Sequence, residues 1–391
     1  MFSENRRYTF LGALTLSILL FAAGCSESAP TAPPTSSKSE NVKETGTQPK
    51  SADVSNDKMQ QLVAAAKKEG TVIVYGPPGE QTKQALTKPF EDRYGVKVQY
   101  QGGRSSETFA KMQTEFKAGT TSGDVIFSGA NTGTDMFEYG LLRPLKPVFA
   151  DPKVLNENNW YQGKMQFIDK EASHTATVSL TVNTPFVVNT DIIKSGDIKS
   201  KEDLLDPKWK GRIGVSDPRI GGAGNQHSSF LLKDIGEPFV RKLFVDQKPD
   251  ITRDLRILGD NLARGKYAFV LGINQVTVNE LAASGIKNLR PLTEIPELNY
   301  VTSGSANVSL LKNPPHPNAG ALYINWLFSE EGQTVSAKTF SSVPVRTDIP
   351  VPDGTDPTVI PAKGVKYARS DSNEYVEFAA TSRKFFDGLL K

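Results

Sequence analysis

The stretch TVIVYGPPGEQTKQALTKPFEDRYGVKVQYQGGRSS, residues 71–106, decides the fold class. Residues 71–75 are a short β-branched run typical of a buried strand, and residues 96–100 alternate in the manner of a second strand. Between them, residues 82–95 have the composition of a helix, although Pro89 can kink or divide it. A strand, a helix and a further strand in this order predict a parallel βαβ unit.

The same order continues, with a predicted helix from about Ser106 to Lys117 and a third strand at 124–128. In open α/β sheets, ligands bind beyond the carboxyl ends of the parallel strands. The three loops at those positions are rich in Gly, Ser or Asn and lead into predicted helix N-termini, where free N–H groups and the helix dipole favour negative charge. The residues predicted to contact a ligand on this side are Gly76, Arg104, Ser105, Ser106, Ser128, Gly129 and Asn131.

The middle of the chain repeats this pattern. Residues 175–193 form a long extended run, which predicts a crossing from one part of the fold to another. Strands are predicted at 212–216 and within 263–272, each before a flexible polar loop and a helix. The sequence therefore predicts two α/β lobes whose loops face a common gap. The candidate ligand residues on this side are Asn183, Asp217, Arg219, Gly222, Asn225, Asn274 and Gln275.

The first residues of the chain predict secretion. Arg6 and Arg7 precede an apolar run from Phe10 to Ala23, which is shorter than the roughly 20 residues a membrane-spanning helix needs. Cys25 is the only cysteine, so no internal disulfide is expected, and its place after Ala-Ala-Gly resembles the lipobox of bacterial lipoproteins. We predict a signal peptide over 1–24 and a lipid on Cys25; a buried N-terminal helix and a free thiol are the alternatives.

Residues 25–57 are rich in Ser, Thr, Pro, Glu and Lys and have almost no large apolar side chain. Such a segment buries too little apolar surface to offset its chain entropy, so it is predicted to be a disordered tether. The rest of the chain is long enough for two hydrophobic cores. The predicted lobes span 58–180 with 303–345, and 183–298 with 350–391.

Three segments carry a resemblance to a known family: DLLDPKWKGRIGVSDP (203–218), ARGKYAFVLG (263–272) and NPPHPNAGALYINWLFSEEGQ (313–333). They resemble the extracellular solute-binding proteins of bacterial ABC importers, in the branch whose members bind ferric iron, thiamine or phosphonates. The resemblance covers about 59–391. Because these segments are mostly scaffold, they indicate the class of protein better than its ligand.

The resemblance implies a periplasmic-binding-protein type II fold, a two-lobed α/β clamshell with a mainly parallel, helix-flanked sheet in each lobe. It implies hinge crossings, which we place near Leu180–Pro185 and Leu298–Ser303, and closure of the lobes on a small ligand. The implied partners are the transmembrane permease subunits, and the implied location is outside the cytoplasm, on a bacterial membrane. We expect a monomer.

The nature of the ligand is predicted from the loops. Iron-binding members of the branch use two adjacent tyrosines in the second lobe, whereas here the loop after 263–272 contains no tyrosine and no two tyrosines are adjacent anywhere. Arg104 and Arg219 each stand beside glycines after a predicted strand, and a guanidinium fork matches a carboxylate or a phosphate. We predict a small organic anion, with no bound metal and no cofactor. A ferric or other metal complex is the alternative for the ligand, and a solvated side chain or a salt bridge is the alternative for each arginine.

Other function classes find little support. The formal net charge of +3 gives no reason to expect nucleic acid. The chain lacks a Gly-x-Ser-x-Gly elbow, a His-Glu-x-x-His motif and a P-loop, and its predicted ligand loops are poor in Asp, Glu and His. We therefore predict that the protein is not an enzyme. A lipoprotein that senses a ligand without transporting it would have the same sequence features.

Overall fold

The computed structural model describes the backbone of residues 51–273 and 275–391, and their side chains apart from those of 51–56, 106, 275 and 276. The predicted signal peptide, Cys25, most of the predicted tether, Asn274 and the side chains of Ser106 and Gln275 therefore lie outside the described residues. Within the described part, no helix is long and apolar enough to cross a membrane.

The described chain forms two lobes and three sheets. The first passage contains α1 (Ser51–Glu69), β1 (Thr71–Gly76), α2 (Glu80–Tyr94), β2 (Lys97–Gly102), α3 (Ser105–Lys117), β3 (Val125–Ser128), α4 (Ala130–Glu138), β4 (Leu142–Arg143), α5 (Pro152–Leu155), β5 (Thr175–Thr177) and β6 (Ser179–Asn183). The second contains β7 (Phe186–Asn189), β8 (Ile213–Ser216), α6 (Ala223–Phe230), α7 (Glu237–Arg241), β9 (Asp250–Thr252), α8 (Leu255–Ala263), β10 (Phe269–Leu271), α9 (Gln275–Ala283) and β11 (Leu289–Pro291). The last contains β12 (Tyr300–Thr302), β13 (Asn307–Leu311), α10 (Pro317–Leu327), α11 (Glu330–Thr339), β14 (Val343–Pro344), β15 (Ala368–Arg369) and α12 (Asn373–Leu389).

The sheets of the two lobes have the same strand order. It is β2-β1-β3-β13-β4 in the first lobe, where β5 also pairs with β13, and β9-β8-β10-β7-β11 in the second. The first three strands of each order are parallel, and the others pair antiparallel. The two-lobed α/β class is confirmed, but the sheets are mixed rather than mainly parallel, because β13 and β7 enter from the crossings at the edge where the parallel strands end.

The crossing strands form the third sheet, in the order β14-β6-β12-β15, which we call the hinge sheet. In it β6 and β12 pair antiparallel, with Val182 opposite Val301. These two strands coincide with the crossings predicted at 180–185 and 298–303. A further crossing between β14 and β15 takes the chain back to the second lobe, where α12 packs against α6.

The first helix begins inside the segment that was predicted to be a tether. It begins at Ser51, so residues 51–57 are helical where the tether was predicted. The apolar side chains of α1 pack against the first-lobe core beside α10, and once packing holds such a helix, adding polar residues at its N-terminus costs little. At the other end of α1, Glu69 Oε2 accepts hydrogen bonds from the backbone N–H groups of Asn318 and Ala319 at 3.0 and 2.7 Å, which caps α10.

The segment 313–333 that carried the family resemblance builds the first-lobe core. Tyr323 and Trp326 of α10 are fully buried and pack against Phe90 at ring-centroid distances of 5.0 and 5.7 Å. The buried Gln333 donates through Nε2 to the carbonyl of Val178 at 2.9 Å, just before β6. The segment therefore stabilises the lobe and anchors the first crossing, which explains why it identifies the fold without identifying a ligand.

Candidate ligand-binding cleft

The strand register places the carboxyl edges of both lobe sheets next to the hinge sheet. Ser128, the last residue of β3, lies opposite Asn307, the first residue of β13, which begins shortly after β12. Likewise Leu271, the last residue of β10, lies opposite Phe186, the first residue after the β6 crossing. The loops that follow the parallel strands therefore lie on the hinge side of each lobe, where an open α/β sheet binds ligands.

Equal strand order makes the loops of the two lobes equivalent in pairs. Neighbouring strands lie about 4.8 Å apart. The distance of a loop from the hinge sheet therefore grows by about this spacing for each strand that separates it from β13 in the first lobe or from β7 in the second. The loops after β3 and β10 are nearest, those after β1 and β8 come next, and those after β2 and β9 are outermost. Arg104 after β2 and Arg253 after β9 thus occupy equivalent outer positions.

Tyr100 supports the loop after β1. Its hydroxyl donates to the carbonyl of Pro77 at 2.8 Å, and burial raises its pKa well above the ordinary value. A Cβ placed on Gly76 would lie 2.3 Å from the Tyr100 hydroxyl oxygen, so a larger residue cannot fit there without moving the ring. The close approach to Tyr100 therefore accounts for Gly76, which was predicted as a ligand residue.

Arg104 stands at the N-cap of α3 with an exposed guanidinium. Its side chain is 82% exposed, and its ion pair with Glu107 is long, at 3.9 Å between Nη1 and Oε1. Such a weak exposed pair is no obstacle to binding an anion. Ser105 is the first helical residue of α3, and its hydroxyl donates to Thr132 Oγ1 of α4 at 3.4 Å.

The three residues predicted after β3 fall into two groups. Ser128 is 1% exposed, and its Oγ has no hydrogen-bond partner in the described part of the chain. A Cβ built on Gly133 would lie 3.1 Å from this oxygen, so Ser128 Oγ lies against α4, and its burial there does not favour the predicted ligand contact. Gly129 is the N-cap of α4, and Asn131 is exposed in its first turn.

Four helices that start at these edges have no side-chain cap. Among the side chains that the structure describes, no N-cap side chain accepts a hydrogen bond from the first turn of α2, α3, α4 or α6, and three of these N-caps are the glycines Gly79, Gly129 and Gly222. By contrast, α8, which follows β9 at the second-lobe edge, is capped by Asp254, and α11 is capped by Ser329. Uncapped N–H groups together with the helix dipole attract anions.

Asp217 directly follows β8 and is only 2% exposed. Its Oδ1 accepts from the backbone N–H and Nε of Arg219 at 3.0 and 2.8 Å, and its Oδ2 accepts from Arg219 Nη2 at 2.9 Å and from Arg253 Nε at 3.2 Å. The hydrogen bonds from Arg219 outweigh burial and, with Arg253, lower the pKa of Asp217 to about 2. The Asp217 carboxylate therefore accepts hydrogen bonds from the two arginines, whereas a contact with the ligand was predicted for it.

Asn225 also has a different role from the one predicted. It is buried in α6, and its Nδ2 donates to the carbonyl of Pro218 at 3.0 Å and to Ser382 Oγ of α12 at 3.3 Å. These contacts fasten the loop before α6 and join α6 to α12. The Asn225 amide therefore stabilises the second lobe instead of facing the gap.

Two further predicted residues lie at the ends of elements. Gly222, the N-cap of α6, has a φ of 128°, a conformation that favours glycine. Asn183 ends β6, and its Oδ1 accepts from the backbone N–H of Thr184 at 2.8 Å. Both lie beside the gap, one at the second-lobe edge and one at the crossing.

Residues 85–361, more than half of the chain, match the family model for the bacterial extracellular solute-binding protein. The chain belongs to that family. A Haemophilus influenzae protein described only as uncharacterised is 23% identical over 315 residues, which cover 80% of this solute-binding protein and 87% of that protein.

Solved structures agree with this assignment. A Trichodesmium protein, IdiA or FutA, in complex with iron and citrate has a TM-score of 0.61 and 18% identity, covering 82% of this chain and 99% of that one. The periplasmic binding protein AfuA from Actinobacillus pleuropneumoniae, with fructose-6-phosphate bound, has a TM-score of 0.56 and 21% identity, covering 81% and 99%. Identities this low show the fold, which is that of the type II periplasmic binding proteins.

Arg253 of this solute-binding protein was not among the residues predicted from the sequence. Arg253 follows β9, and this strand, Asp250–Thr252, is too short to show the alternation of apolar and polar residues by which a strand is predicted. The parallel pairing of Ser216 with Thr252 brings Arg253 beside Asp217. The available signal was Asp254, a residue type typical of a helix N-cap, which marks the end of a strand-to-helix turn.

Arg369 and Asp371 of the last crossing were also missed. The Arg369 guanidinium donates through Nε to Asp371 Oδ1 at 2.7 Å, through Nη2 to Thr177 Oγ1 at 3.0 Å, and through Nη1 to Gln166 Oε1. Gln166 and Thr177 precede the first crossing and are far from Arg369 in sequence. No local sequence pattern predicts such a network, which joins the last crossing to the segment before the first crossing.

Proposed function

We propose that this protein is the lipid-anchored receptor of an ABC importer and captures a small organic anion, either a carboxylate, a phosphonate or a phosphate ester, between its lobes. The observation that carries the proposal is that both carboxyl edges, on the hinge side, combine uncapped helix N-termini with an arginine. Both features favour negative charge and neither suits a cation. The ligand is then delivered to the permease.

The two lobes contribute different arginines to the proposed site. Arg104 of the first lobe is exposed and weakly paired. Arg219 of the second lobe pairs side-on with Asp217 through Nε and Nη2, so its Nη1 group stays available. An anion that meets both arginines binds the closed arrangement better than the open one, and this difference in affinity drives closure.

The proposed ligand contacts include only some of the residues predicted from the sequence. From the first lobe we retain Arg104, Ser105, Gly129 and Asn131, and from the crossing Asn183. From the second lobe we retain Arg219 and Gly222. Ser106, Asn274 and Gln275 stay predictions from the sequence alone.

The anchor and the outer location are part of the proposal. Cys25 after Ala-Ala-Gly is the proposed lipid site, residues 25–50 are the proposed tether, and the lobe boundaries predicted from the sequence are kept for the rest of the monomer. The protein would then be held on the outer side of a bacterial membrane while its lobes reach the permease. Loss of acyl labelling in a Cys25→Ser variant tests the anchor.

A metal complex is the second candidate ligand, because one similar structure holds iron together with citrate. Among the described residues, no three His, Cys, Asp or Glu side chains lie together as metal ligands. A ferric complex of a polycarboxylate carries its own oxygen donors and negative charge, so arginines and helix N-termini would suit its outer surface.

Thermal unfolding of the chain from residue 26 onward tests these alternatives. The panel is fructose 6-phosphate, citrate, a phosphonate and ferric citrate, with fructose as the neutral control. A ligand at one hundred times its dissociation constant adds about 2.7 kcal/mol of stability, which is a clear shift in Tm. We expect a shift with at least one metal-free anion and none with fructose. A shift with ferric citrate alone would favour the metal complex, and stabilisation by fructose would contradict the anion proposal.

A further inference from the structure

We propose that Asp217 is a positioning residue that holds Arg219 and Arg253 side by side as a two-arginine clamp for a tetrahedral oxyanion such as a phosphoryl group. The inference rests on the proposed function and deepens it, because it assigns a new contact residue, Arg253, and a chemical class for the group bound at the second-lobe edge. Asp217 itself does not touch the anion.

Strand pairing brings the clamp together. Ser216 ends β8 opposite Thr252, which ends β9, and the backbone N–H of Asp217 donates to the carbonyl of Thr252 at 2.9 Å. Asp217 and Arg253 therefore each follow directly after one of two neighbouring parallel strands, β8 and β9. The short turn after Asp217 returns Arg219 to the same carboxylate.

The Asp217 carboxylate fixes the orientation of both guanidinium groups. Arg219 donates hydrogen bonds to Asp217 through Nε and Nη2, and Arg253 donates one through Nε, at 3.2 Å. A guanidinium has five N–H groups, so most of the donors of this pair point away from the carboxylate. Arg253 is also open to solvent, with 69% of its side chain exposed.

This donor arrangement suits a phosphoryl group better than a carboxylate. A carboxylate has two oxygens in one plane, which a single arginine already matches. Three terminal oxygens around phosphorus point in different directions, so two arginines on neighbouring strands can share them. The uncapped N-terminus of α6, at the end of the same loop, supplies further N–H donors.

Further charged side chains lie around the clamp. Asp387 of α12 attracts Arg219, while a third guanidinium, that of Arg383, lies beside Gly221 of the same loop. Asp254 is turned to the first backbone N–H groups of α8, where it accepts at 2.9 and 3.0 Å. The arginines therefore outnumber the carboxylates that face them.

Calorimetric titration of the chain from residue 26 onward with inorganic phosphate, at low ionic strength, tests the clamp. We expect Arg253→Gln to weaken phosphate binding at least tenfold with at most a small fall in Tm, because the side chain is exposed and Arg219 keeps its own hydrogen bonds to Asp217. Arg256→Gln is the matched control, an exposed arginine three residues later that does not contact Asp217, and it should bind as the wild type does. Equal affinities of the two variants would overturn the role of Arg253.

A double-mutant cycle tests the positioning role. If Asp217 acts by holding the arginines, Asp217→Asn should weaken phosphate binding strongly in the wild type and much less in the Arg253→Gln background. Fully additive effects would overturn positioning. If Asp217→Asn fails to fold, Arg219→Gln replaces it, and the clamp then requires that both arginine variants lose affinity.

Failure of the clamp is distinguishable from failure of the proposed function. A wild-type protein that is stabilised by a carboxylate but does not bind phosphate would overturn the clamp and leave the anion receptor intact. A protein that binds none of the anions would overturn both.

Discussion

Asp371 Oδ2 accepts a hydrogen bond from the backbone N–H of Ser303 at 2.6 Å, and so joins the last crossing of the chain to the second. The Ser303 hydroxyl donates to the same oxygen, and Arg369 pairs with the other. Burial opposes ionisation of Asp371, yet the charge of Arg369 and these hydrogen bonds hold its pKa below the ordinary value. A buried ion pair therefore ties the passages of chain on which the lobes turn.

Asp371→Asn should lower the free energy of unfolding by about 3 kcal/mol at pH 7, because it leaves the Arg369 guanidinium largely buried without its counter-charge. Since the folded pKa of Asp371 is lowered, its stabilisation exists at neutral pH and is lost as the pH falls through that pKa. Urea unfolding at pH 7 and in acid measures both effects. Asp92→Asn, which breaks the exposed pair with Lys88, is the control and should change nothing. Equal losses in the two variants would contradict the hinge role.

The stability of the wild type should fall as the pH is lowered from about 6.5 to 4. Burial, partly offset by the Pro185 carbonyl, lowers the pKa of His227 to about 4, so between these values the unfolded chain binds a proton that the folded chain does not. The loss from this residue amounts to about 3 kcal/mol. His227→Gln should flatten this part of the curve of unfolding free energy against pH. Identical slopes for the variant and the wild type would show that His227 is not the group responsible, and the interval from pH 7 to 9 serves as the internal baseline.

Gly76→Ala should destabilise the protein by about 2 kcal/mol and disturb the loop after β1, because its Cβ would lie 2.3 Å from the Tyr100 hydroxyl oxygen. Adding Tyr100→Phe removes that oxygen and should restore part of the stability. Gly103→Ala is the matched control in the neighbouring loop, since its Cβ would come no closer than 3.8 Å to Thr108 Oγ1. Unfolding by urea ranks the variants, and a Gly76→Ala protein as stable as Gly103→Ala would refute the argument from close approach.

Arg104→Ala should weaken binding of an anion from the thermal panel at least tenfold, or about 1.4 kcal/mol, while leaving Tm of the free protein unchanged. The exposed position of Arg104 and its long pair with Glu107 explain why no stability is lost. Lys83→Ala, at an exposed site on α2, is the control and should bind normally. Calorimetric titration makes the comparison, and undiminished affinity in Arg104→Ala would remove this residue from the site.

The sequence predicted the parts of the molecule that depend on local pattern. The apolar run at 71–75, the helical composition of 82–95 and the long extended stretch 175–193 predicted a strand, a helix and a crossing, and the structure has all three. The helix start at Ser51 was missed, because packing against α10 extends a polar segment that has no helical pattern of its own.

The candidate site was predictable in position but not in the use of its side chains. Arg219 was found because it follows a strand beside glycines, yet nothing local shows that Asp217 is turned to it and to Arg253. Ser128 and Asn225 have the right residue types in the right loops, but the burial of one beneath α4 and the bonding of the other to α12 come from packing.

The amino-acid sequence by itself determined the order of elements, the two-lobed class, the crossings and the glycine-rich loops at the strand ends, because these depend on periodicity and backbone freedom over a few residues. Only the tertiary structure decided which side chains share a neighbour. Arg253 meets Asp217 through the register of two parallel strands, and Arg369 meets Thr177 although 192 positions of sequence separate them. Such pairings depend on strand order and burial, which bring together residues that no local pattern connects.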